Sequence, residues 1–153
     1  MKYLPIDNQC FIKNRERFSL KIKGNAIAIF NSNDIMPTNA DGTMPFKQNN
    51  DLFWLSGVDQ EESVLVIFPN HPDKNMREIL FLKETNEYIA VWEGKKLTKN
   101  DAFRTSGIKT VFWLHEMEDK LAEIIAKADF IYLNKNIHSR AACKVQTRDD
   151  RFK

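Results

Sequence analysis

The residues able to do chemistry in this sequence do not come in sets. His71, His115 and His138 are isolated: no His-Glu-x-x-His pair joins two of them, and no carboxylates stand at spacings that would give one metal three ligands. They read as a turn residue, a helix start and a surface residue. Asp59, Glu61 and Glu62 lie in a polar turn without the apolar surroundings that acid–base tuning needs, so they read as a solvated acidic turn. Cys10 and Cys143 are far apart and match no metal-ligand spacing; each reads as a reduced, partly buried thiol, with a disulfide or a reactive site as the other options. There is no Gly-x-Ser-x-Gly elbow, no phosphate-cradling loop and no dinucleotide fingerprint, since five glycines are too few and too scattered.

The elements that would position these side chains can be read along the chain. Phe11, Ile12, Arg15, Phe18 and Ile22 fall at helical spacing over residues 7–23, with Asp7 or Asn8 as the cap and Gly24 as the stop. Its lysines and arginines, Arg15 among them, read as a solvated face. Residues 25–30 read as a buried strand and 31–45 as a long breaker-rich loop on the surface. Residues 52–55 and 63–68 read as two buried strands of a hairpin turned over residues 59–62. Further strands are expected at 77–83, 88–92, 108–114 and 130–133, with helices at 98–103, capped by Thr98, and at 115–127, where Met117, Leu121, Ile124 and Ile125 share one face.

Successive strands joined by short turns imply antiparallel pairing, and the strand, helix, strand order at the end implies a parallel crossover. The fold class is therefore α/β, with a mixed, mainly antiparallel sheet flanked by helices. At 153 residues the chain makes one domain, here 1–140, that removes about two thirds of its unfolded surface from water. The charged stretch 141–153 reads as the start of a linker. A balance of 23 basic against 21 acidic residues, mixed along the chain, argues against nucleic acid as a partner. No apolar run reaches the ~18 residues of a membrane helix, so no membrane partner is expected and a cytoplasmic location is the default.

Two stretches carry more than pattern. One is Phe46-Lys47-Gln48-Asn49-Asn50-Asp51, followed by Leu52-Phe53-Trp54-Leu55-Ser56-Gly57, an acidic turn and the valine-rich run from Ser63; the other is Val91-Trp92-Glu93-Gly94-Lys95-Lys96-Leu97. Together they resemble the two markers of the aminopeptidase P N-terminal domain, the module that precedes the catalytic domain of Xaa-Pro aminopeptidases. The resemblance extends over roughly residues 5–150. One departure is visible, because the family often has Glu-Pro in the acidic turn where this chain has Gln60-Glu61.

The resemblance implies the creatinase and aminopeptidase P N-terminal fold, of ribonuclease H-like type, and a non-catalytic role. It implies that the chemistry belongs to a C-terminal pita-bread domain missing from this chain, where Asp, Asp, His, Glu and Glu would hold two divalent metal ions, usually manganese. This chain would be inactive alone. Its partners would be its own catalytic domain, further copies in a dimer or tetramer, and a proline-containing peptide at the substrate entrance. Trp92 is the one residue for which the resemblance implies substrate contact; packing in a core or an interface is the other reading. Gln48 and Asp51 are expected to hydrogen-bond the turn or free backbone groups. Of Phe53 and Trp54, one should be core and the other should meet a neighbouring domain. A prolidase N-terminal domain and a stand-alone binding domain are the alternatives.

Overall fold

The structure is a computed structural model that describes residues 4–135. Five strands form one sheet: β1 (Ala26–Asn31), β2 (Ser63–Ile67), β3 (Glu78–Leu82), β4 (Thr110–Trp113) and β5 (Phe130–Leu133), in the order β4-β3-β2-β1-β5. The sheet is mixed. β2 runs antiparallel to β1 and β3, with Ile29 opposite Val66 and Leu65 opposite Leu80, while β4 lies parallel to β3 and β5 parallel to β1. β4 and β5 therefore point the same way from opposite edges, and the helix joining them crosses beneath the three strands between.

Helices cover both faces. Ala28, Phe30, Leu65, Ile67, Leu80 and Leu82 point to the side of α1 (Asn8–Ser19), α2 (Asn50–Ser56) and α4 (Lys99–Ser106). Ile27, Ile29, Val64, Val66, Ile79 and Phe81 point to the side of α5 (Met117–Ile125), where Ile124 is buried and Met117, Leu121 and Ile125 pack around it. A central strand buried on both faces has no polar side to alternate with, which is why β2 reads as an unbroken apolar run.

Local chemistry sets the ends. Asp7 caps α1 by accepting from the Gln9 N–H at 2.9 Å. Thr98 and Asp101 form a capping box at the start of α4. The loop after β1 is a small ribbon rather than structureless chain: Pro37 bridges Thr43, and the Met44 N–H donates to Met36 O at 2.8 Å.

The structure corrects several expectations. Residues 52–55 form part of helix α2, not a strand, so no hairpin joins them to β2. Asn49 Oδ1 accepts from the N–H groups of Asp51 and Leu52, and Gly57, in the left-handed region at φ 70°, closes the helix through its N–H to Phe53 O. Leu52, Leu55 and Ser56 then bury one helical face, a period that a four-residue apolar burst is too short to reveal. Residues 88–92 likewise belong to a helix, α3 (Glu87–Glu93), capped by Asn86. α1 stops at Ser19 rather than at Gly24. Arg15 is fully buried instead of lying on a solvated face, and Cys10 is exposed instead of partly buried. His138, Cys143 and the proposed linker at 141–153 lie outside the described residues.

Candidate functional site

The two markers, more than thirty residues apart in sequence, meet in space. Gln48 is buried and reaches the acidic turn: its amide donates to Gln60 O at 2.7 Å and its Oε1 accepts from the Asn49 N–H at 2.7 Å, while the Asn49 side chain caps α2. Asp51 is exposed in the first turn of α2, where a carboxylate suits the positive end of the helix. The acidic turn is not solvated throughout. Gln60 is buried, and its Oε1 accepts from the Leu97 N–H of the second marker at 2.7 Å. Next to it Glu61 pairs with Lys96. Because the Leu97 N–H fixes which end of the amide faces it, Gln60 Nε2 is left buried without a hydrogen-bond partner among the described residues. A groove of about 840 Å³ runs beside this junction, with Ile6, Phe11 and Leu97 on its apolar side and Lys95, Asp101 and Arg104 at its rim.

Trp92 sits on α3, 78% exposed, with Tyr88 and Val91 comparably open. None of the seven residues of α3 is buried. The helix is tied down at its roots by charge: Lys83 Nζ stands 2.9 Å from Glu62 and 2.9 Å from Glu93. Glu93 and Glu62 together hold the Lys83 ammonium above its ordinary range. Glu84 also reaches His115 Nδ1 at 3.3 Å. Of the pair in α2, Phe53 packs edge-on against Phe11, and Trp54 is about half exposed.

The histidines do not converge. His71 is buried against the edge of Phe68, with Nδ1 3.1 Å from Asp73 N and Nε2 3.4 Å from Lys127 Nζ, whereas His115 is on the surface. Among the described residues no three His, Cys, Asp or Glu side chains come together to hold a metal ion, and no helix is long and apolar enough to cross a membrane. Among the described residues a divalent ion therefore finds no fitting donor set.

Residues 11–132 match the family model described as the aminopeptidase P N-terminal domain. The chain belongs to that family. Curated relatives include the Xaa-Pro aminopeptidase of Escherichia coli, 24% identical over 128 residues that make up 83% of this chain and 29% of the relative. Another is intermediate cleaving peptidase 55 of Saccharomyces cerevisiae, 25% identical over 135 residues that make up 81% of this chain and 24% of that protein. Among solved structures, aminopeptidase PepP of Pseudomonas aeruginosa superposes with a TM-score of 0.80 at 20% identity, covering 91% of this chain and 31% of that one. Aminopeptidase P of E. coli gives 0.76 at 20%, covering 90% and 31%. At such identities the superpositions speak for the fold. The chain thus spans 24% to 31% of the length of these relatives.

Sequence reasoning missed the part of this aminopeptidase P N-terminal domain that joins its markers. Lys83, Glu61 and Lys96 are too far apart for any local spacing rule, and only the departure at Gln60-Glu61 signalled the place. The junction has a pH signature. Burial alone would push the Glu61 carboxyl up, but the hydrogen bond from Lys96, its own backbone N–H and the charges of Lys96 and Lys83 outweigh this and hold it below its ordinary 4.5. A carboxylate depressed on folding adds stability that is complete above its unfolded value and is lost as pH falls through its folded one. The stability gap between the wild type and Glu61→Gln is therefore expected to be widest near neutrality and to close as pH falls below about 4.5, the unfolded value. Urea midpoints taken across that range check it; a gap that stays constant would show that the Glu61 charge contributes nothing.

Proposed function

We propose that this chain is the non-catalytic N-terminal domain of a Xaa-Pro aminopeptidase, which releases the N-terminal residue of peptides with proline in second position. The reading places the peptidase chemistry, with its two divalent metal ions and manganese as the first candidate, in a catalytic domain elsewhere in the same polypeptide. To this domain it assigns assembly of a homo-oligomer and shaping of the substrate entrance, with Trp92 as the residue that contacts the peptide. A cytoplasmic location goes with it. The observation that carries the reading is the family match over residues 11–132 in a chain covering only 29% of the E. coli Xaa-Pro aminopeptidase. The exposure of Trp92 on a helix with no fully buried residue supports its part in the reading, since a tryptophan left in water at 78% contributes little to its own fold.

The test uses the natural full-length polypeptide. With manganese present it is expected to cleave a Xaa-Pro-Xaa tripeptide, and Trp92→Ala to raise the tripeptide KM about threefold to tenfold, the size of one lost aromatic contact. The thermal midpoint should not move, because no packing is lost. Turnover of Xaa-Pro dipeptides alone would favour a prolidase, and no turnover of either would leave a binding domain.

A further inference from the structure

Residues 83–96 leave the end of β3 and come back to the body as an arm, with α3 at its tip. Two features make its pose a question. A seven-residue helix is far below the length at which helices hold themselves in water, and none of its residues is buried. Its last turn also ends on Glu93 with no basic residue of its own, which places a negative charge at the negative end of the helix. The body answers with charge. Lys83, at the root where the arm departs, reaches Glu62 on the body and Glu93 on the arm at once. At the returning root, Lys96 pairs with Glu61, and the Leu97 N–H is held by Gln60.

We propose that Glu61, Glu62, Lys83, Glu93 and Lys96 form an electrostatic clasp that sets the pose of α3, and that Lys83 is a positioning residue acting on substrate through Trp92. The second half rests on the proposed entrance role of Trp92. The clasp is matched to its task. Each Lys83 pair is a third or more exposed, and such a pair biases an equilibrium only about severalfold. That is small beside the stability of the whole domain. It counts for more in a seven-residue helix that buries none of its residues fully and has only Ile89 and Ala90 half-buried. Removing Lys83 does more than delete two attractions, because Glu62 and Glu93 are then left facing each other with nothing between them.

The experiment compares Lys83→Met, Lys83→Arg, Trp92→Ala and the Lys83→Met/Trp92→Ala double variant in the full-length polypeptide. Tripeptide KM and kcat, amide hydrogen exchange over 87–94 and the thermal midpoint are measured. Lys83→Met is expected to speed exchange in α3 about tenfold and to raise KM about threefold to tenfold, with kcat and the thermal midpoint little changed. Lys83→Arg should restore both, and Lys83→Met should add nothing to KM once Trp92 is gone. Unchanged exchange in Lys83→Met overturns the clasp, whatever Trp92 does. Faster exchange with KM unmoved in Lys83→Met but raised in Trp92→Ala overturns the positioning role alone. If Trp92→Ala leaves KM unmoved, the entrance reading fails instead, and the exchange result still decides the clasp.

Discussion

Replacing Arg15 with alanine is expected to lower the stability of the domain by about 3 kcal/mol, the scale for breaking a buried charge out of its network. Arg15 is fully buried at the meeting of three elements. From α1 its Nη1 donates to Leu55 O in the last turn of α2 at 2.8 Å, and its Nε stands 2.9 Å from the Glu78 carboxylate of β3. Desolvation pulls its pKa down, and the neighbouring Glu78 opposes this by favouring the charged form. Its cation also lies where α2 ends, the negative end of that helix, and satisfies a carbonyl that has no intrahelical partner. Alanine would leave that carbonyl unpaired, strand Glu78 and open a cavity the length of the side chain. Because Glu78 is itself a third exposed, water recovers part of its loss, which keeps the figure nearer the lower end of the usual range. Arg15→Met, which keeps the stem but not the charge, should cost less in an Glu78→Gln background than alone. Urea unfolding followed by circular dichroism measures this; a loss under about 1 kcal/mol would mean that Arg15 neither joins these elements nor fills space among them.

What could be read in the sequence follows from what each signal depends on. The strands of the sheet centre were legible because burial on both faces writes itself as a run of apolar residues rich in β-branched ones, as in residues 64–67. The start of α4 was legible because a capping box is local, four residues from Thr98 to Asp101. α2 was not: its apolar residues, Leu52 to Leu55, are contiguous, and four of them fit either period. The deciding signals were the Asn49 cap and the closing Gly57, which flank the burst rather than lie within it. α3 failed for the opposite reason, since a helix that buries none of its residues writes no amphipathic stripe at all.

Arg15 is the instructive case within α1. The spacing Phe11, Arg15, Phe18, Ile22 puts it on the inward stripe, yet its charge drew it to the solvated face with Lys13 and Arg17. Only the position of Glu78 and the open carbonyl of Leu55, some forty residues away or more, make burial there tolerable. The candidate site repeats that lesson. The two markers announced that something was kept there, but the contacts of Glu61, Lys83 and Lys96 depend on how the sheet brings residues from separate stretches together.

Gly57→Ala is expected to cost about 3 kcal/mol and Gly107→Ala about half of that, although the two glycines close their helices in the same way. Both adopt a left-handed φ, 70° and 76°, and both donate their N–H at 2.7 Å to a phenylalanine carbonyl four residues back. The conformational part of the cost, about 1 kcal/mol for a residue with a Cβ, is therefore shared. What differs is the neighbour. A Cβ on Gly57 would run into the ring of Phe11, which is 5% exposed and packed edge-on against Phe53, so the ring yields only by disturbing its neighbours. A Cβ on Gly107 would meet the tip of Ile12, 2.6 Å from its Cδ1, and that side chain is only partly buried and can swing aside. Moving Phe11 would also shift α1 against α2, and with it the reach of Arg15 to Leu55 O. Equal urea midpoints for the two variants would show that backbone strain sets the whole cost and that the Phe11 ring yields freely; the larger loss at Gly57 would show that the contact between α1 and α2 is the rigid joint on which the first marker is mounted.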